Sequence, residues 1–269
     1  MDGVIAFIIG ACIGSFLNVA ADRVPNGKSL VRPRSSCDQC GQQLRSIDMV
    51  PLLSYLWLRG RCRHCRTSIP VRVFLVEAVT GALFAVVFYR YGFGADFVVL
   101  STAVPLMVVV TLVDLEHGLI LNAIVYPSVV ILLLLAPFWP ELGIARGFSG
   151  NETLAASLAN SFLAGLGGFL IFLVIAIISP AGMGGGDGKF AGLLGLLLGF
   201  PGVLLALWIS VITGGVMAIS LLLLHKKGRK DSMPFGPFMA MGGTVIFIAG
   251  DDFLDWYREL SEALSGSLA

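Results

Sequence analysis

Two pairs of cysteines and two aspartates are the residues of this chain best placed to do chemistry. Residues 37–40 read CDQC and residues 62–65 read CRHC, with 21 residues between the pairs. CxxC repeated at this spacing is the pattern of a four-thiolate zinc site, each pair clipping the metal from a tight turn. Gly41 and Gly60 suit such turns. Two disulfides are the alternative, but the loop is expected in the cytoplasm, where thiols stay reduced. With Cys37, Cys40, Cys62 and Cys65 all supplying sulfur, no coordination position stays open for a substrate, so the zinc is expected to be structural. His64, inside the second pair, reads as an exposed loop histidine, and Cys12 as a small buried residue of the first apolar segment.

The aspartates pose a different problem. GMGGGDGK, residues 182–189, places Asp187 among five glycines, and TLVDLEHGLI places Asp114 at the end of an apolar run. Charge at membrane depth is costly, so each such residue is a functional hypothesis. Two carboxylates brought together cannot both ionise comfortably and share a proton. One then activates a water and the other polarises a peptide carbonyl, which is aspartyl protease chemistry. Gly182, Gly184, Gly186 and Gly188 would let a substrate backbone lie against the loop, and Lys189 is grouped with them as a loop-shaping residue. A flexible linker that happens to hold an acid is the plain alternative. A phosphate-binding loop is excluded, because GxxxxGK[ST] is absent: Phe190 follows Lys189. Glu77 could simply pair with an arginine of the neighbouring loop, and His117 reads as a solvated or capping residue.

The elements that must position these groups are set by composition. The chain has 269 residues, 57% hydrophobic and 13% charged, with a mean hydropathy of +0.89. Soluble domains carry roughly 25% charged residues. An all-α polytopic membrane protein is expected, with about eight crossings near 3–21, 73–92, 96–113, 119–138, 154–179, 189–200, 203–224 and 236–250. The flank MDG lacks the basic residues of a cleaved signal, so the first segment reads as a retained anchor. Residues 1–22 form that anchor, 23–72 a zinc-binding loop domain, 73–250 a membrane core and 251–269 a short amphipathic tail. Ten of the 18 Lys and Arg residues fall in 22–72, against Asp22, Asp38 and Asp48. The positive-inside rule then puts this loop, Asp114, the glycine loop and residues 225–230 on the cytoplasmic side, with both termini outside.

Taken together, these pieces resemble the type IV prepilin peptidase family along nearly the whole chain. The resemblance rests on GSFLNVAADRVP (14–25), the paired CxxC motifs, LSYLWLRGRCRHC (53–65), DLEHGLILN (114–122), GMGGGDGK and PFGPFMAMGG (234–243). It implies a bacterial inner-membrane aspartyl endopeptidase that removes the basic leader of prepilins or pseudopilins after a glycine. Asp114 and Asp187 match the two catalytic aspartates. It also implies N-methylation of the new terminus with S-adenosylmethionine, a function associated with the cytoplasmic region; Gly14, Ser15, Asn18 and Arg23 are candidate residues for it, with packing and structural positions as the equal alternative. Two departures are visible: Glu116 stands where the family often has Asp, and Leu121 where proline is usual. Partners are the prepilin substrate and membrane lipid, with no nucleic acid; the sequence does not fix an oligomeric state. A general GxGD intramembrane protease without methyl transfer is the alternative, and an ion-coupled transporter a more distant one. A transporter should show a second, matched glycine loop, which is absent. A zinc hydrolase would need an HExxH motif, also absent.

Overall fold

The computed structural model describes residues 1–139, 153–178, 184–225 and 233–266, and among these it is helical, with no strand longer than a single bridge. Among the described residues, five helices are long and apolar enough to cross a membrane: Asp2–Arg23, Val71–Tyr91, Phe97–His117, Leu154–Ile178 and Gly202–Leu223. The other three expected crossings are shorter or differently built. Asn122–Leu135 and its following turn reach only Phe138, and Gly185–Leu198 has 14 residues. The last apolar stretch, Gly236–Gly250, is the first half of one helix that runs to Gly266. The amphipathic tail is therefore the continuation of a helix rather than a separate surface element. Contacts divide the chain into two compact units, Met1–Val113 and Asp114–Ala269.

The first unit is built on α1 (Asp2–Arg23) and α3 (Val71–Tyr91). The buried residues of α1 include Gly3, Ala6, Gly10, Gly14, Leu17 and Ala21, spaced at three and four so that they share one face. The spacing lets α3 approach closely: a Cβ at Gly10 or Gly14 would strike Thr80, Phe84 or the Glu77 backbone. Cys12 lies on the opposite face and is exposed, contrary to the buried position expected for it. Between these helices the loop forms a 3-10 turn, Ser46–Met49, and α2, Leu53–Trp57. Glu77 is buried, and its carboxylate accepts the Leu52 N–H at 2.7 Å rather than pairing with a loop arginine. Helix α4 (Ala95–Ser101) extends this unit through a cluster of Phe84, Phe88, Phe93 and Phe97.

In the second unit α8 (Gly185–Leu198) is the hub, with α6 (Asn122–Leu135), α7 (Leu154–Ile178), α9 (Gly202–Leu223) and α10 (Gly236–Gly266) all packed on it. Every residue from Phe190 to Leu198 is buried or half-buried, as a helix apolar on all faces requires. Gly192 and Gly195 meet Gly165 and Ala164 of α7 at backbone distance. Phe200-Pro201 ends α8 after Gly199, whose φ of +64° terminates the helix, and α9 begins at Gly202. The freed Phe200 N–H donates to Asn160 Oδ1 at 2.9 Å.

Candidate active site and metal centre

Asp114 lies in the last turn of α5 (Ala103–His117) and is 5% exposed. Its Oδ2 accepts the backbone N–H of Gly236 at 2.8 Å. Gly236 is the first residue of α10, so an orphan amide at a helix start faces the carboxylate. Only glycine fits there, since an added Cβ would stand 2.6 Å from that same oxygen. Asp187 sits in the first turn of α8, half-buried, and its Oδ2 accepts the Gly184 N–H at 3.2 Å. The Asp114 charge acts directly on Asp187. Each carboxylate thus has one oxygen held by an amide, while its Oδ1 has no hydrogen bond among the described residues.

The remaining glycine-loop residues divide by what they touch. A Cβ at Gly186 would stand 2.9 Å from Ile120, so this glycine lets the start of α8 approach the turn after α5. Gly188 faces Phe169 and Phe172 at ordinary contact distance. Lys189 donates from Nζ to Asn122 Oδ1 at 2.9 Å and lies over the Tyr126 ring, 5.5 Å from its centre. It ties α8 to the start of α6. Gly182 lies outside the described residues. Glu116 and His117 are exposed beside Asp114.

Sequence reasoning assigns no role to Gly236 or Asn122. The stretch PFGPF is the signal for the first, but a backbone donor carries no side-chain signature. Asn122 closes DLEHGLILN and is 67 positions from Lys189. Only the fold brings them together.

The four cysteines converge, with all Sγ atoms within 4.8 Å of one another and Cys37 to Cys65 at 3.7 Å. Tetrahedral zinc with bonds of about 2.3 Å separates its sulfurs by about 3.8 Å. The donor set therefore fits a four-thiolate metal. Two matching turns supply it. Cys37 and Cys62 donate their N–H groups to Gln42 O and Thr67 O, and their carbonyls accept from Gly41 and Arg66. Gly41 and Arg66 take the left-handed position in the two turns, at φ +68° and +61°. The second turn glycine is thus absent, because Gly60 precedes the turn and packs under Tyr55. The Cys65 thiol is lowered to about 6, first by the Thr67 hydroxyl 3.4 Å away and then by the Thr67 backbone, which readies it as a thiolate. His64 is exposed and outside the cluster.

Of the N-terminal residues, Gly14 serves the helix crossing and Asn18 donates to Gly14 O and Val73 O, pinning α1 to α3. Arg23 donates to Ser29 O and Leu30 O, fixing the exit into the loop. Ser15 is half-buried beside them.

Comparison with known proteins covers both regions of the chain. Residues 8–91, which hold all four cysteines, match the bacterial peptidase A24 N-terminal domain, and residues 98–219, which hold both aspartates, match the type IV leader peptidase family. A prepilin leader peptidase/N-methyltransferase of Bacillus subtilis (strain 168) is 31% identical over 96% of this chain and 98% of its own. One from Aeromonas hydrophila is 30% identical over 94% of this chain and 92% of its own. A third, from Myxococcus xanthus (strain DK1622), is 34% identical over 82% of this chain and 63% of its own. No solved structure matches the chain. With nearly its full length aligned to such relatives, the chain belongs to the type IV leader peptidase family.

Proposed function

We propose that this protein is a membrane aspartyl endopeptidase cleaving the basic leader of prepilins or pseudopilins after a glycine, with Asp114 and Asp187 as its dyad. The observation that supports this is that the start of α8, which holds Asp187, packs against Ile120, six positions after Asp114, and that each acid has its Oδ2 held by a helix-start amide. Carboxylates in mutual electrostatic contact share one proton. The ionised member draws a proton from water as the oxygen attacks the scissile carbonyl carbon. The protonated member donates to the carbonyl oxygen, and collapse of the tetrahedral species returns a proton to the leaving amine. Gly184 and Gly236 fix the orientation of the carboxylates throughout, and Gly186 keeps α8 close to Ile120.

The active site lies at the cytoplasmic face, with both termini outside, on the charge asymmetry of the loops. Prepilins carry a basic leader followed by an apolar helix, so their scissile bond arrives at that depth. The relatives' names support a second activity, N-methylation of the exposed terminus with S-adenosylmethionine as methyl donor. Cys37, Cys40, Cys62 and Cys65 would hold a structural zinc that cross-links the two turns of the loop.

Cleavage of a purified prepilin by wild type, Asp114→Asn and Asp187→Asn tests the dyad. Asparagine keeps the shape and the amide contacts while removing the shared proton. Both variants are expected to lose at least about 10³-fold in kcat. Normal cleavage by either one overturns the assignment.

A further inference from the structure

The zinc-binding loop carries a second cluster whose side chains neither peptide cleavage nor metal binding uses. Arg59, Arg61 and Arg66 line one cavity of about 390 Å³ with Trp57 and Leu58. Arg63 and Arg72 of the same region are paired with Asp48 and Asp22. The three cavity arginines form no ion pair and no side-chain hydrogen bond among the described residues. Like charges around one hollow repel, and a bound anion would relieve that repulsion.

The cavity's neighbours and its height identify the anion. Trp57 is 79% exposed, Leu53 64% and Leu56 59%, all on the short helix α2. The Ile69 N–H donates to Gly60 O at 2.7 Å, so the backbone between Arg59 and Arg61 is tied to a point two residues before α3 begins. Arg66 is five residues from that start and can lie at most about 17 Å from it. Since α3 is a membrane span, the cavity stands near the headgroup layer. Basic clusters with an exposed Trp at this depth complement anionic lipid.

We propose that this cavity seats the phosphate of an anionic phospholipid, with Trp57, Leu53 and Leu56 entering the acyl boundary beside it. The basic leader of a prepilin is excluded by charge. The site is independent of the peptidase reading, because it uses none of those residues.

The test uses the full chain in nanodiscs of phosphatidylcholine with and without phosphatidylglycerol, with zinc content checked. Wild type should retain phosphatidylglycerol through exchange into phosphatidylcholine, and the Arg59→Gln/Arg61→Gln/Arg66→Gln variant should hold it at least about tenfold more weakly. Brominated phosphatidylglycerol should quench a fluorescence component that is missing in Trp57→Phe. Equal retention by the zinc-loaded triple variant overturns the proposal. Absence of quenching at Trp57 in the wild type also overturns it, meaning that protein covers this face; that arm decides if the triple variant loses zinc. Displacement of the lipid by millimolar inorganic phosphate overturns the lipid assignment and leaves a soluble-phosphate site.

Discussion

At the scale of single residues, the aspartates are controlled by glycines through backbone rather than side-chain chemistry. Gly236 and Gly184 each donate an N–H to a carboxylate of the proposed dyad, yet their tolerance to change should differ sharply. A methyl group at Gly236 would fall 2.6 Å from Asp114 Oδ2, whereas one at Gly184 would fall 3.7 Å from Asp187 Oδ2. Gly236→Ala must therefore move Asp114 or α10, and misplacement by about 1 Å can cost roughly 10²-fold. We expect Gly236→Ala to lower kcat for prepilin cleavage by about that factor, with little change in KM, and Gly184→Ala to remain within about threefold of wild type. Steady-state kinetics on both variants decides; equal loss in the two would mean that the steric difference has no consequence. The carboxylates themselves are legible in the sequence because a charge beside a membrane span has to be explained. Gly236 is not, since an amide donor looks the same in every residue type. Glu77 escapes a sequence reading for a related reason: its partner is the Leu52 amide, not an arginine.

Elements show what spacing alone can and cannot carry. The CxxC pairs locate the metal loop, and the fold adds that residues 35–44 and 60–69 repeat one turn with an offset of 25, read from Cys37 and Cys62. That repeat places Arg66, not Gly60, opposite Gly41. Gly41 has no atom near its missing Cβ, so Gly41→Ala introduces backbone strain without a clash. The left-handed conformation costs an L-residue roughly 1–2 kcal/mol. Gly41→Ala should accordingly release zinc to a competing chelator about tenfold more readily at equilibrium, while the cysteines stay intact. No change in chelator competition would show that the turn relaxes freely. The α7–α8 seam makes the opposite case, in which space rather than conformation is limiting. Gly195 faces the Ala164 and Gly165 backbone so closely that even alanine must separate the helices. Gly195→Ala should cost roughly 1–3 kcal/mol, the range for overpacking, and lower the melting temperature in detergent. An unchanged melting temperature would contradict the packing described. Neither seam nor hub is visible in the sequence, where α8 reads as one of about eight crossings.

For the whole molecule, hydropathy identifies a polytopic helical protein but not which segments reach full span length. Composition reports apolar content along the chain; it does not distinguish a lipid-facing helix from one enclosed by others, as α8 is. The same limit hides the continuity of α10, because its first half is apolar and its second polar. The division into Met1–Val113 and Asp114–Ala269 has a functional consequence. All four thiolates belong to the first unit, while both aspartates, Gly184 and Gly236 belong to the second. Compact units open and close with their own free energies, so losing the metal should unfold the loop before it disturbs the dyad. Removing zinc from the full chain with a chelator is therefore expected to abolish methyl transfer while prepilin cleavage stays within about threefold of its starting rate. Both activities should be measured on one preparation, before removal, after removal and after zinc is restored. A cleavage rate that falls and recovers in step with methylation would mean that the loop shapes the dyad, and the two sites would have to be treated as one.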